Sequence, residues 1–162
     1  MLAIVAALLA AQAQAQTPAT ADWWYYNVLG DAGAQQAFYI DRASISRAGA
    51  LAIVEEAREA ERADEQNIIG ARLRVRYDCS ARTWQVLRYT FLLSDGRQHV
   101  ASRAMTTPEP VEPGSISEDA MRIACGEAEG IEQLRSLGIR EQALLLFAER
   151  AEHLRTHPDA RR

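Results

Sequence analysis

The segment Ala71–Cys79 limits the fold more than any other part of this chain. Ala71, Leu73, Val75, Tyr77 and Cys79 alternate with Arg72, Arg74, Arg76 and Asp78. A strict period of two places one class on each side of a strand, whereas a helix would scatter both classes around its axis. The segment therefore reads as a strand with one buried face and one wet, cationic face. Thr83–Leu93 follows after a short turn at 80–82. A three-residue turn pairs Val75 with Leu87, Leu73 with Tyr89 and Ala71 with Phe91. The core side of the hairpin then carries Leu73, Val75, Tyr77, Leu87, Tyr89 and Phe91. The same register puts Arg74 opposite Arg88, and Arg76 opposite Val86 with Trp84 nearby.

Ten of the 11 aromatic residues lie between Trp23 and Phe91, so the first half of the chain reads as sheet. Trp23–Leu29 and Gln36–Asp41 are expected strands, separated by a Gly-Asp-Ala-Gly turn. Ser44–Arg47 reads as a short extended piece, and Ala50–Ala57 as a third main strand. Glu55–Gln66 is rich in helix formers but has no apolar stripe wider than alanine, so it reads as a solvated hairpin connection. Asp95-Gly96 marks a hairpin into a strand at Gln98–Arg103. Thr106–Gly114 carries three of the five prolines and reads as a loop. Ser115 and Glu118 have capping-box spacing, which starts a helix that runs to about Cys125 and stops at Gly126. The tail reads as helical and is broken near Gly138. Its apolar stripe is Leu144, Phe147, Ala148, Ala151 and Leu154, and Leu145 and Leu146 widen it. The expected class is α+β: a small antiparallel sheet of about five to six strands, with a short helix and a C-terminal helix packed on it.

The N-terminus speaks to compartment. Leu2–Ala11 is an uncharged apolar run of ten residues, too short to span a bilayer and suited to a signal h-region. Ala-Gln-Ala sites follow, so cleavage is expected after Ala13 or Ala15. This divides the chain into a signal peptide (1–15), a polar lead (16–21), an α+β domain (22–126) and a helical tail (127–162). The run has no cysteine for a lipid anchor, and nothing later is long and apolar enough for a membrane span. The expected location is the periplasm or the exterior, as a soluble protein. Export favours a disulfide between the only two cysteines, Cys79 and Cys125, with two buried free thiols as the alternative.

A net charge of −4 argues against a nucleic-acid binder. Catalytic constellations are missing too: there is no nucleophile elbow, phosphate loop or dinucleotide fingerprint. His153 and His157 have the i,i+4 spacing of metal ligands. They precede Pro158 and have no accompanying glutamate, so they read as surface histidines. No metal and no cofactor is expected. The cationic stripe remains. Arg72, Arg74, Arg76 and Arg88, with Trp84, form a candidate ligand-binding face. Like charges in such a stripe need neutralising. Glu55, Glu56 or Glu59 on a neighbouring strand is one source, and an external anion, such as an acidic polysaccharide or an acidic protein surface, is the other.

The order of motifs also resembles a known family. An aromatic start (Trp23-Trp24-Tyr25-Tyr26) is followed by Tyr39-Ile40-Asp41 with Ser44-Ile45, then Tyr77-Asp78-Cys79. The Asp95-Gly96 hairpin comes next, and Pro113-Gly114-Ser115 leads to Cys125. This is similar to the surface-adhesin protein E family of Gram-negative bacteria over roughly Asp22–Gly126. The resemblance implies an antiparallel sheet with a packed helix, a disulfide that maps onto Cys79 and Cys125, and an exported binding protein rather than an enzyme. No motif here matches a family contact residue, so none is carried over. The chain departs from the family pattern in having no lipoprotein cysteine and a longer helical tail. A second expectation is a periplasmic structural or assembly factor that binds an envelope protein through the C-terminal helix.

Overall fold

The structure is a computed structural model, which describes residues 21–101, 107–128 and 138–157. The proposed signal peptide and most of the polar lead lie outside the described residues. The chain runs β1 (Trp23–Leu29), β2 (Gln36–Ala48), β3 (Leu51–Ala60), β4 (Ile68–Asp78), β5 (Thr83–Leu93), β6 (Gln98–Val100), β7 (Glu109–Pro110), α1 (Ile116–Cys125) and α2 (Ile139–Thr156). All pairings are antiparallel, in the order β1-β2-β3-β4-β5-β6, with β7 pairing β5 at its start. The helices lie on opposite faces of this sheet. The α1 side buries Phe38, Ile40, Ala52, Val54, Leu73, Val75, Tyr77 and Val86 against Ala120, Met121, Ile123 and Ala124. The α2 side buries Val28, Ala37, Tyr39 and Ala57 against Ala143 and Phe147.

Ser115 caps α1 as its spacing predicts: its hydroxyl accepts from the Glu118 amide at 3.2 Å. The Glu118 carboxylate turns instead to the Gly114 amide and to Arg82. Gly126 ends the helix in the left-handed region at φ 82°, where glycine carries no Cβ penalty. Arg47 on β2 donates to the carbonyls of Ala124 at 2.7 Å and Ile123 at 3.3 Å. A cation thus satisfies acceptors that the helix end leaves open. Cys79, just past β4, is bonded to Cys125, the last residue of α1, with Cα atoms 5.8 Å apart.

Several expectations need correcting. β3 runs through Glu55–Ala60, so only 61–67 connect it to β4. The helix formers stay in the strand because their carboxylates find partners across it. Glu56 accepts from the Tyr77 hydroxyl at 2.6 Å, and Glu59 meets Arg72 at 2.9 Å. Tertiary pairing overrides intrinsic propensity here. The pieces at Gln36–Asp41 and Ser44–Arg47 are one strand, with the register shift between Asp41 and Ser46. There the Asp41 carboxylate accepts from the Ala43 amide at 3.1 Å. The β4–β5 register holds for Ala71–Phe91, Leu73–Tyr89 and Arg74–Arg88, then shifts so that Val75 pairs with Val86 and Tyr77 with Trp84. Leu87 is the extra residue of this bulge, and Val86 takes its place in the core. The bulge lets Trp84 and Val86 face α1 while Tyr89 and Phe91 keep the same side. In α2, Phe147 and Leu154 are buried as expected, but Leu144 points out and Ala143 points in. The helix docks on its own sheet.

Candidate functional site

The α2 side of the sheet carries the arginine stripe, because alternation puts Arg72, Arg74 and Arg76 on the side away from Leu73, Val75 and Tyr77. Arg88 joins them from β5 by direct pairing with Arg74. Trp84 does not. The bulge turns it to the opposite face, where it packs against the α1 core. The aromatic beside the stripe is Trp23 of β1, with its ring 5.5 Å from the Arg72 guanidinium carbon. A groove of about 420 Å3 runs past Trp23, Glu55, Arg72 and Arg88. The pairing of distant β1 with β4 side chains depends on three intervening strand registers, so sequence spacing carries no signal for it.

Internal carboxylates neutralise much of the stripe. Glu55 sits between Arg74 at 3.5 Å and Arg88 at 3.3 Å. Glu59, almost fully enclosed, takes Arg72 at 2.9 Å and Arg140 of α2 at 3.8 Å, which ties the helix to the sheet. Arg76 donates to the Gln85 side chain at 2.5 Å. Arg74 and Arg88 remain about half exposed, at 49 % and 55 %. Their pairs with Glu55 are wet and weak, on the order of 1 kcal/mol or less. An anion in solution therefore competes for them at small cost.

Glu56 points to the other face and plays no part in the stripe. Its carboxylate is buried beneath α1, bonded to Tyr77, with the Tyr26 hydroxyl also directed to it. Burial pushes the carboxyl above its ordinary value, while Tyr77, Arg58 and Tyr26 pull it back. The folded-state value lies above the unfolded one, so Glu56 contributes stability that is full below the unfolded value, near 4.5. That contribution is lost as pH rises through the folded value. Urea midpoints of the wild type and Glu56→Gln, compared from about pH 4 to about pH 8, should show the wild type losing ground to the variant as pH rises. A constant difference would mean that the carboxyl titrates as it does in water.

His153 and His157 stack at 4.6 Å on the exposed end of α2. Among the described residues no group of three or more His, Cys, Asp or Glu is placed to hold a metal ion. Likewise, no described helix is long and apolar enough to cross a membrane.

An antiparallel sheet clasped between two helices, with one disulfide and a cationic face, defines a small α+β module. The family profile for surface-adhesin protein E matches residues 25–126, and the chain belongs to that family. Solved structures of Haemophilus influenzae protein E are similar to it. One crystal form shows 13 % identity, 64 % of this chain and 87 % of that chain covered, and a TM-score of 0.49. A structure from a non-typeable strain shows 15 % identity, 82 % and 93 % covered, and a TM-score of 0.44. A search of curated protein sequences returns no match.

Proposed function

We propose that the chain is an exported, non-enzymatic binding protein of the surface-adhesin E type, in the periplasm or outside the cell. The observation that carries this reading is the family match over the disulfide-bonded sheet. Within it, Arg72, Arg74, Arg76 and Arg88 form the face for an anionic partner, with Trp23 in the place expected for Trp84. The partner is an acidic polysaccharide or acidic protein surface. Strand geometry spaces the β4 arginines by about 6.6 Å, and guanidinium groups bond carboxylates and sulfates in pairs.

The test is retention of the mature protein on a sulfated-polysaccharide column, against Arg74→Ser/Arg76→Ser. The expected result is earlier elution of the variant. Equal elution would leave the stripe as ordinary ion pairing with Glu55 and Glu59.

A second reading, an assembly factor that binds an envelope protein through α2, is favoured by Leu144 and Leu145, which are 47 % and 51 % exposed. Deleting the tail would not separate the two readings, because Ala143 and Phe147 belong to the core. Replacing the two leucines by glutamine does. Loss of envelope-protein capture from an extract by the immobilised protein, with retained polyanion binding, would support the second reading.

A further inference from the structure

We propose that the uncovered half of the α1 face is a second ligand site, for an acidic sugar: a ring that carries a carboxylate or sulfate. This goes beyond the stripe, which lies on the opposite face. α1 covers Ala52, Val54, Leu73, Val75 and Tyr77. Beyond it, the ends of β3, β4 and β5 line a cavity of about 500 Å3, a volume typical of small-molecule sites. Small residues, Ala60, Gly70 and Ala71, make its floor. Gly70 keeps the strands close here: a Cβ there would stand 2.7 Å from the Arg58 carbonyl oxygen and 3.3 Å from the Glu59 carboxylate of the opposite face. Tyr89 and Phe91 form one wall, half-buried, with ring centroids 4.6 Å apart.

The cations of this cavity differ from those of the stripe. Arg58 and Arg62 both line it, and among the described residues neither forms an ion pair with a carboxylate. Arg58 lies over the Phe38 ring at 5.7 Å. Its Nε is shielded from solvent and bonds to no acceptor, although a buried N–H normally has one. Arg62 stands at the exposed rim. Asp64, also at the rim, accepts from the amides of Gln66 and Ile68 at 2.9 and 2.8 Å, so it is committed to its own loop. The cavity thus offers two guanidinium groups that no carboxylate grips directly, although Arg58 feels the buried Glu56 carboxylate, with an aromatic wall and a polar rim.

A carboxylate or sulfate fits the guanidinium fork. An apolar ring face covers Tyr89 and Phe91, whose polarised faces favour such contact. The rim groups Gln36, Arg62 and Asp64 suit hydroxyls, which an aromatic acid lacks. A bare inorganic anion would leave the wall uncovered.

The test is calorimetric and NMR titration of the full-length mature protein with a sulfated uronic-acid disaccharide, too short to span the stripe. Saturable binding is expected, with shifts at Arg58, Arg62, Tyr89 and Phe91. Arg62→Gln, at an exposed position, should weaken it about tenfold, the loss of one charge-assisted pair. Phe91→Leu should weaken it as well, and Arg74→Ser/Arg76→Ser should leave it unchanged. If Arg58→Gln fails to fold, Arg62→Gln decides. Wild-type affinity in Arg62→Gln, shifts confined to Arg74 and Arg88, tighter binding of benzoate than of the disaccharide, or no saturable binding would each overturn the proposal. Polyanion retention lost only in the stripe variant would leave the preceding reading standing without this one.

Discussion

Reducing the Cys79–Cys125 bond should lower the unfolding free energy by about 4 kcal/mol in the chain-entropy account. The separation of 46 residues sets that figure, because the crosslink removes closure entropy from the unfolded chain. The location amplifies the consequence. β1 to β5 pair with neighbours in the sheet, but among the described residues α1 reaches it through side-chain packing, the Arg47 contacts to its last carbonyls, the Arg82–Glu118 ion pair, the Asn27–Asp119 bond and this disulfide. Without the bond, α1 should be the first element to lose protection. Denaturant unfolding with and without reductant, with hydrogen exchange of α1 amides alongside, checks both parts. An unchanged midpoint with full α1 protection would mean that packing alone fixes the helix.

Tyr77→Ala should cost about 4 kcal/mol or somewhat more. The side chain is fully buried between the sheet and α1, and large-to-small changes at such sites cost about 3–5 kcal/mol. Its hydroxyl also holds the buried Glu56 carboxylate at 2.6 Å, so removal leaves a polar group without its partner, a penalty of about 1–3 kcal/mol. Tyr77→Phe isolates that second part and should cost about 1–3 kcal/mol by the same reasoning. Tyr89→Ala should fall well below Tyr77→Ala, because Tyr89 is half-buried at the cavity wall. Equal costs at the two positions would place Tyr89 in the closed core.

The sequence made the sheet legible where one side of a strand is apolar. Period two in β4 set its faces, Asp95-Gly96 set a hairpin, and Ser115 and Gly126 set the ends of α1. The end of β3, Arg58–Ala60, was not legible, and Glu55–Ala57 read both as strand and as connection. The helix-favouring glutamates of β3 are strand residues only because Tyr77, Arg72, Arg74 and Arg88 arrive from other strands. The bulge at Leu87 was also hidden. Val86 and Leu87 are both apolar, so the pattern does not say which one enters the core. That single residue decides the side of Trp84, and with it the aromatic partner of the stripe. Among the site residues, Arg72, Arg74, Arg76 and Arg88 were found by alternation and do share one face. Trp23, Arg58 and Arg62 were not found, because their placement depends on contacts across several strands and on where α1 stops covering the sheet.

If charge on the β4–β5 face holds an acidic partner, the salt at which the protein leaves a sulfated-polysaccharide column must depend on the stripe. Surface charges are screened beyond about 10 Å at 0.1 M salt, so a net charge of −4 leaves only local arginines to bind. The wild type should be retained at low ionic strength and elute as salt rises, and Arg74→Ser/Arg76→Ser should elute at lower salt. Passage of the wild type through the column at low salt, or identical elution of wild type and variant, would contradict binding through the stripe.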